Sequence, residues 1–325
     1  MKKILITGAS GYIGSCLYYF LKNKYNVKSI DKKNNNYFKV NICDLLNSKK
    51  IDKILQKEKP DLIVHFAAQS LVDETINKKK YYFNNVVATK NLIVSMKKNN
   101  LNNIIFSSTA ALYEYKNKII SEKSKIKPLS TYAKTKYECE KIIKKSKLNS
   151  VILRFFNVCS SLKLKGKIVG ELHNPETHLI PTLVYKNLKK RKVYIYGKDY
   201  KTKDGTCIRD YIHIKDICSA VEKSSIYLFK NTNKYEIINI GSSTQITNLE
   251  ILKKVDKMTK INTKYKIVKR RKGDVAKLTC SIYKAKKKLN WKPNFSSINI
   301  IINDEIAWIQ HLKKLNIKRK FKNYL

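Results

Sequence analysis

Acidic residues, glycine, proline and long apolar runs are all scarce in this sequence. Its 325 residues include only 24 Asp and Glu, nine Gly and five Pro. No apolar run approaches the roughly 20 residues of a membrane-spanning helix, so we expect no membrane partner. The seven Cys residues contain no Cys-x-x-Cys and no paired spacing. This spacing argues against a zinc site and a disulfide framework, and we expect no bound metal and a reducing, cytoplasmic environment.

Basic residues, by contrast, are abundant: 69 residues are Lys or Arg, and the formal net charge is +45. Such a charge is typical of nucleic-acid-binding proteins. Only six of the 69 are Arg, however, and the lysines are spread over every segment rather than grouped in one stripe. We therefore interpret them as solvated surface positions and expect no nucleic-acid partner. Where this chain retains Arg, a planar bidentate donor is indicated.

The first half of the chain alternates short β-branched segments with longer amphipathic ones. The predicted strands are Lys3–Thr7, Val27–Asp31, Leu62–Phe66, Asn103–Ser107 and Val151–Phe155. The predicted helices are Tyr12–Lys22, Leu46–Lys57, Tyr81–Lys98 and Thr131–Lys145. This alternation predicts an α/β fold, with a doubly wound parallel (Rossmann-type) sheet.

After Asn157 the alternation ends, and a stretch containing Gly and Pro (166–181) precedes mixed short strands and helices. The length allows two domains, and the change of pattern predicts a second, smaller mixed α/β lobe. We assign residues 1–158 to the first domain and residues 159–325 mainly to the second lobe. Some segments, roughly 209–240, are expected to return to the first domain.

A glycine-rich turn follows the first strand and opens the first helix. Gly8, Gly11 and Gly14 are spaced as G-x-x-G-x-x-G. Glycines at such a turn let the backbone approach a pyrophosphate, which lies at the positive end of the helix. Asp31 ends the second strand 20 residues beyond Gly11, where a carboxylate accepts hydrogen bonds from the adenosine ribose and repels a 2′-phosphate. The pattern predicts NAD as cofactor in preference to NADP, although Lys32 follows directly.

A tyrosine and a lysine are placed to do chemistry. Tyr132 and Lys136 are four residues apart on a predicted helix, so both project from one face. A phenol with a pKa of about 10 is a weak base at neutral pH, but a nearby ammonium and a nicotinamide cation stabilise its phenolate. Thr109 follows the fourth predicted strand, where it is placed to hydrogen-bond a substrate hydroxyl. Tyr-x-x-x-Lys alone is common by chance in a chain with 21 Tyr.

These motifs together resemble the extended short-chain dehydrogenase/reductases. The resemblance includes the glycine turn, His65–Ala68, Asn84–Val86, Ser107–Thr109 and the Tyr-x-x-x-Lys pair. Within that family, the second half resembles the UDP-glucose 4-epimerases. The segments that carry this narrower resemblance are 153–157, 175–181, 199–213 and 270–274. The resemblance extends from residue 2 to about residue 293, and the Asp-Gly-Thr…Arg-Asp-Tyr-Ile-His block is highly specific.

The resemblance implies transient oxidation of the sugar at C4 and makes residues 1–158 the NAD-binding domain. Tyr132 is then the base for the 4-hydroxyl while the hydride passes to NAD. The 4-keto sugar then rotates about its link to the diphosphate and takes the hydride back on its opposite face. Lys136 holds the nicotinamide ribose and tunes Tyr132, and Thr109 guides the proton. The implied cofactor-binding residues are Gly8, Gly11, Tyr12, Ile13, Gly14, Asp31, Asp44, Leu45, Phe66, Ala67, Ala68, Ser70, Asn84, Lys136 and Phe156.

The resemblance also makes the smaller lobe (159–325) mainly the substrate-binding lobe and implies how the UDP-sugar is held. Arg209 and Arg271 match a diphosphate clamp, and Leu278 falls where side-chain bulk gates N-acetylated sugars. This chain has Ser70 at a position where some members of the family have a cofactor-binding lysine. The implied substrate-binding residues are Thr109, Tyr132, Asn157, Leu179, Tyr194, Tyr196, Arg209, Arg271, Asp274 and Leu278.

Other functions remain open from the sequence. A 4-epimerase of UDP-N-acetylhexosamines or UDP-pentoses would use the same residues, and an NAD-sensing binding protein would keep the fold without the chemistry. A sugar 4,6-dehydratase is disfavoured because Ala110 and Ala111 stand where an acid would be needed. The family further implies a homodimer through the predicted helices Tyr81–Lys98 and Thr131–Lys145. We expect Arg154, His65 and His213 to be structural rather than catalytic.

Overall fold

The computed structural model describes residues 1–35, 38–70, 77–114, 118–173, 175–271 and 274–317. The first half of the chain alternates strands with helices. In chain order these elements are β1 (Lys3–Thr7), α1 (Tyr12–Leu21), β2 (Asn26–Asp31), β3 (Asn41–Ile42), α2 (Ser48–Glu58), β4 (Leu62–His65), α3 (Lys78–Tyr81), a π-helical turn (Tyr82–Val87), α4 (Ala88–Lys98), β5 (Asn103–Thr109), a 3₁₀ turn (Ala110–Leu112), α5 (Thr131–Ser146) and β6 (Asn149–Phe155).

The described part of the second half contains short strands, four helices of ten or more residues and the shorter helix α9. In chain order its elements are β7 (Asn157–Cys159), β8 (Leu162–Leu164), β9 (Lys167–Val169), α6 (Leu179–Leu188), β10 (Val193–Tyr196), β11 (Ile208–Arg209), β12 (Tyr211–His213), α7 (Ile214–Lys230), β13 (Tyr235–Ile240), β14 (Ile246–Thr247), α8 (Asn248–Thr259), β15 (Tyr265–Val268), β16 (Lys277–Leu278), α9 (Tyr283–Leu289) and α10 (Ile298–Lys314).

A seven-stranded sheet in the order β13-β6-β5-β4-β1-β2-β3 forms the centre of the molecule, and all of its strand pairs are parallel. From β1 the chain builds outward through β2 and β3, and it then returns to β4 on the other side. The strand order therefore reverses between β1 and β4, which is where open α/β sheets bind ligands. The predicted doubly wound α/β fold is confirmed.

Helices cover both faces of this sheet. Successive residues of a strand point to opposite faces, and in β1 the residues on both faces are apolar and need to be covered. Ile4 and Ile6 of β1 belong to a fully buried cluster with Leu17 of α1 and Ile217 of α7. Leu5, between them, packs on the opposite face in a second cluster. That cluster includes Leu55 of α2, Leu92 of α4 and Ile143 of α5. The sheet is apolar on both sides, as a buried parallel sheet requires.

A third cluster lies among the elements of the second half. Leu183 of α6, Ile195 of β10, Ile251 of α8 and Ile301 of α10 are buried together there. The strands beside it form small sheets: β10 pairs with β15, and β11 lies between β14 and β16. Within the described ranges, no helix has both the length and the apolar composition needed to cross a membrane.

The five predicted strands are all present, and the differences from prediction have local causes. The helix predicted over Tyr81–Lys98 starts earlier and is interrupted, because the backbone forms a π-helical turn between α3 and α4. The helix predicted from Leu46 begins at Ser48, since the side chain of Asn47 accepts a hydrogen bond from the backbone N–H of Lys50 at 3.0 Å and caps it. The division at residue 158 stays a prediction, but β13 lies at one edge of the central sheet.

Candidate active site

A cavity of about 570 Å³ opens at the carboxyl edge of the central sheet, where the strand order reverses. One side is formed by the turn after β1 and the ends of β2, β4 and β5. The other side is formed by the chain after β6 and the segment that leads into α6. This position is the expected ligand site of a doubly wound sheet.

The glycine turn brings the start of α1 to the cavity. Gly8 has φ +71°, and a Cβ built on it would lie 2.5 Å from the backbone nitrogen of Ala67. A Cβ on Gly14 would lie 2.2 Å from the carbonyl oxygen of Gly8, so both positions require glycine for packing. Gly11, the N-cap of α1, provides no side-chain cap in the described structure. The first backbone N–H groups of α1 therefore suit an anionic group.

Polar side chains from the neighbouring loops face the same end of the cavity. Asp31 accepts hydrogen bonds from the backbone N–H groups of Ser10 and Lys33, each at 3.0 Å, which fix its carboxylate at the end of β2. Lys32 donates to the side-chain oxygen of Asn84 at 3.0 Å. The structure brings all predicted cofactor-binding residues to the cavity wall: Gly8, Gly11, Tyr12, Ile13, Gly14, Asp31, Asp44, Leu45, Phe66, Ala67, Ala68, Ser70, Asn84, Lys136 and Phe156.

Tyr132 and Lys136 lie on the cavity side of α5, one turn apart. The helix begins just before them because the hydroxyl of Ser130 accepts a hydrogen bond from the backbone N–H of Ala133 at 3.1 Å. Lys136 Nζ donates to the carbonyl oxygen of Ser107 at 2.8 Å and lies 4.6 Å from the ring centroid of Phe106. These contacts fix the amine at the cavity wall.

Burial sets the protonation of this pair. It lowers the pKa of Lys136 to about 8. It raises the pKa of Tyr132 to about 12, while a hydrogen bond from Thr109 acts in the opposite direction. Thr109 itself is held at the end of β5, where its hydroxyl accepts from the backbone N–H of Ala111 at 3.1 Å. The phenol is thus protonated at neutral pH, and any further positive charge beside it favours its ionised form.

Arg154 is structural, as expected. Its Nε and Nη2 donate to the two carboxylate oxygens of Glu140 at 2.9 and 2.6 Å, and Nη1 donates to the hydroxyl of Tyr113 at 2.8 Å. Both members of the ion pair have side chains only 3% exposed. Ser108 also donates to Glu140, at 2.5 Å. This buried network joins α5 to β5 and β6 directly behind the cavity.

The two buried histidines are also structural. His65 is fully buried between the hydroxyls of Thr7 and Thr89, which lie 2.7 and 2.9 Å from its ring nitrogens. Burial, followed by the charge of Lys136, lowers the pKa of His65 to about 3, so its ring is neutral. His213 caps α7 by accepting a hydrogen bond from the backbone N–H of Lys215 at 3.0 Å.

The structure divides the predicted substrate-binding residues into two groups. Thr109, Tyr132, Asn157 and Leu278 line the cavity. The other six do not belong to its lining: Leu179, Tyr194, Tyr196, Arg209, Arg271 and Asp274.

Several of these six contact one another beside the cavity. Arg209 donates to Asp274 at 3.1 Å and to the carbonyl oxygen of Val275 at 2.8 Å. The guanidinium carbon of Arg271 lies 4.0 Å from the ring centroid of Tyr196. Their predicted contact with a nucleotide stays a prediction.

The sequence analysis missed four residues that line the cavity near the start of α6: Glu171, His173, Thr177 and His178. Glu171 is buried and lies within ion-pairing distance of both histidines. The available signal was the grouping of two of the five histidines with glutamates within eight residues. The Pro-Glu-Thr-His motif at residues 175–178 contributes to the family resemblance, which assigns no role to Glu171, His173 or His178.

The comparisons with known proteins agree with this geometry. The NAD dependent epimerase/dehydratase family model matches residues 4–241. The UDP-glucose 4-epimerase of Lactobacillus helveticus is 36% identical, over 94% of this chain and 96% of that protein.

Two solved structures extend the similarity to the fold. The UDP-glucose 4-epimerase of Brucella ovis in complex with NAD has a TM-score of 0.88 at 29% identity, covering 95% of this chain and 98% of that chain. The UDP-Glc/GlcNAc 4-epimerase of Campylobacter jejuni has a TM-score of 0.81 at 32% identity, covering 96% and 100%. The family model matches more than half of the chain, and relatives more than 30% identical align over nearly its full length. We conclude that this chain belongs to the NAD dependent epimerase/dehydratase family.

Proposed function

We propose that this protein is an NAD-dependent 4-epimerase that interconverts UDP-galactose and UDP-glucose. The observation that carries the proposal is that Tyr132, Lys136 and Thr109 face the same cavity as the uncapped start of α1. A candidate base (Tyr132), a neighbouring cation (Lys136) and a site suited to the pyrophosphate of a dinucleotide thus share one cavity. The relatives named above are UDP-sugar 4-epimerases, and one was solved with NAD.

The residues present fit NAD. The backbone N–H groups after Gly11 suit the pyrophosphate, the fixed carboxylate of Asp31 suits the adenosine ribose, and Lys136 suits the nicotinamide ribose. Asp31 does not suit a 2′-phosphate, which supports NAD over NADP. When bound, NAD supplies a hydride acceptor and donor for the sugar C4, so the net reaction needs no added oxidant.

In this proposal the chain's own residues handle the proton and the sugar. Tyr132 accepts the proton of the 4-hydroxyl, directly or through Thr109, and returns it after the 4-keto sugar has presented its other face. Lys136 favours the phenolate by its charge. Asn157 and Leu179, together with Arg209 and Arg271, are proposed to hold the diphosphate. Tyr194, Tyr196 and Asp274 are proposed to hold the uridine.

The test is to offer UDP-galactose to the purified protein with no cofactor added and to follow conversion to UDP-glucose. We expect conversion, together with release of about one dinucleotide per chain on denaturation. The Tyr132→Phe variant keeps the ring, and we expect it to retain the dinucleotide and UDP binding while losing conversion. A wild-type protein that carries NAD and binds UDP but converts nothing would instead be an NAD-sensing binding protein.

Leu278 supports a second substrate class. Its side chain lines the cavity. The family resemblance makes this the position where side-chain bulk excludes N-acetyl groups, and leucine is smaller than the tyrosine that excludes them in related enzymes. The Campylobacter jejuni relative is a UDP-Glc/GlcNAc 4-epimerase. Parallel assays with UDP-N-acetylgalactosamine and UDP-arabinose measure this range. We expect Leu278→Tyr to lower conversion of the N-acetylated sugar relative to UDP-galactose.

We also propose that the protein is a cytoplasmic homodimer that pairs through α4 and α5. All seven cysteines are free and buried, which suits the reducing environment of the cytoplasm.

The proposed dimer rests on exposed apolar side chains of the π-helical turn and α4: Tyr82 is 53% exposed, Phe83 48% and Val94 59%. Light scattering during gel filtration measures the mass. We expect Val94→Lys to shift the protein to a monomer, whereas Tyr283→Lys, at an exposed position on α9, should not.

A further inference from the structure

One cluster on the cavity wall has no part in the proposed reaction. It lies in the segment between β9 and α6 and consists of Glu171, His173 and His178. The Nδ1 atoms of His173 and His178 lie 2.7 and 3.2 Å from the two carboxylate oxygens of Glu171. The two imidazole centroids are 5.7 Å apart with their planes at 29°, so the rings stand side by side over one carboxylate.

The carboxylate at the base of this cluster is firmly placed. Glu171 is 4% exposed, and its carbonyl oxygen accepts a hydrogen bond from the indole of Trp308 at 2.9 Å. The preceding Gly170 packs against the same indole, since a Cβ there would lie 2.7 Å from it. The histidine side chains are 37% and 48% exposed, so the cluster is closed below and open toward the cavity.

A second carboxylate lies beside the same ring nitrogen of His178. Glu176 is fully buried and accepts hydrogen bonds from the backbone N–H groups of Thr177 and His178, each at 2.7 Å. Its Oε1 also lies 2.8 Å from His178 Nδ1. Two buried carboxylates therefore meet at one imidazole. A dication would balance both charges while leaving the imidazoles neutral.

We propose that Glu171, His173 and His178 form a binding site for one divalent transition-metal ion of the zinc type. Their ligand atoms all lie within 4.8 Å of one another. Tetrahedral Zn²⁺ bound at about 2.0–2.2 Å places neighbouring ligands roughly 3.3 Å apart. The 3.2 Å contact of His178 matches this separation, whereas the 2.7 Å contact of His173 is a hydrogen-bond distance and would lengthen on metal binding. Imidazole ligands favour Zn²⁺, Co²⁺ or Ni²⁺ over Mg²⁺ and Ca²⁺. All three residues line the cavity.

This site differs from the one excluded by the cysteine spacing, because it uses no thiolate. All seven cysteines are buried elsewhere as free thiols. The proposal does not depend on the epimerase reaction, which needs no metal at this position.

The test is a calorimetric titration of Zn²⁺ into the purified full chain with any histidine tag removed. We expect one ion per chain. Glu171→Gln and His173→Asn should each weaken binding about tenfold or more. His173 is partly exposed, so its variant is the one expected to fold without difficulty. His311→Asn removes an imidazole on α10 outside the cluster and should bind as the wild type does.

Co²⁺ provides a spectroscopic check on the ligands. Tetrahedral Co²⁺ with nitrogen and oxygen ligands gives intense visible absorption without the near-ultraviolet band of thiolate ligation, and His173→Asn should reduce that absorption. Circular dichroism and the bound dinucleotide report whether each variant is folded. The proposal is overturned if wild-type protein takes up no stoichiometric Zn²⁺, if folded cluster variants bind it as tightly as His311→Asn, or if Co²⁺ shows thiolate ligation.

Discussion

The guanidinium of Arg154 and the carboxylate of Glu140 form a two-point ion pair, with contacts of 2.9 and 2.6 Å, in the buried layer between α5 and β6. Replacing Arg154 with Met leaves the Glu140 carboxylate buried without its partner. We expect a loss of about 3–5 kcal/mol in the free energy of unfolding, measured by urea denaturation.

The control for this prediction lies on the same helix. Lys141 pairs with Glu138 in an exposed i,i+3 contact, and Lys141→Met should cost less than about 1 kcal/mol. The double variant Arg154→Met/Glu140→Leu should recover part of the loss, because no charge then remains buried. Equal costs for Arg154→Met and Lys141→Met would show that the pair contributes no more than a surface contact.

Gly11 and Gly14 provide a matched pair for the dinucleotide site. A Cβ on Gly14 would lie 2.2 Å from the Gly8 carbonyl oxygen, whereas one on Gly11 would lie 3.3 Å from it. We expect Gly14→Ala to lower the thermal stability of the protein and to abolish bound NAD. Gly11→Ala should leave the fold intact but release NAD, because the added methyl group would occupy the cavity wall at the start of α1, where the pyrophosphate is proposed to bind. Retention of stoichiometric NAD by Gly11→Ala would contradict the proposed position of the pyrophosphate.

Lys136 should affect the pH dependence of turnover through Tyr132. Burial brings the pKa of Lys136 to about 8, so it carries its charge at neutral pH. Lys136→Met removes that charge, which raises the pKa of the Tyr132 phenol and moves the acid limb of the kcat/KM profile to higher pH. Lys134→Met, at an exposed position on α5, should leave the profile unchanged. An acid limb at the same pH in both variants would remove Lys136 from this role.

His65 should make the protein less stable in acid. Its folded pKa of about 3 lies below the unfolded value of 6.5, so only the unfolded chain binds the proton between these values. The contribution is fully present above pH 6.5 and decreases as pH falls, by about 2 kcal/mol at pH 5. Urea unfolding at pH 7 and pH 5 measures it. A His65→Gln variant should lose less stability over this interval than the wild type; an identical loss would show that His65 is not the group responsible.

The sequence predicted the parts of this molecule that depend on local spacing. Tyr132 and Lys136 share a helix face because they are four residues apart, and the glycine turn is recognisable from its own spacing. The parts it missed depend on irregular backbone and on packing between distant segments. The contact of Glu171 with His178 depends on how the irregular segment before α6 folds along the cavity, which no periodic pattern predicts. Likewise, the pairing of Arg209 with Asp274 joins residues 65 positions apart.

The position of β13 has a consequence for how the chain reaches this fold. The strand Tyr235–Ile240 pairs with β6, although some 80 residues separate it from the end of β6 at Phe155. During synthesis, β6 therefore leaves the ribosome with one edge unpaired until about half of residues 159–325 have followed. A fragment that stops at residue 158 would expose that edge and would be expected to aggregate rather than fold alone.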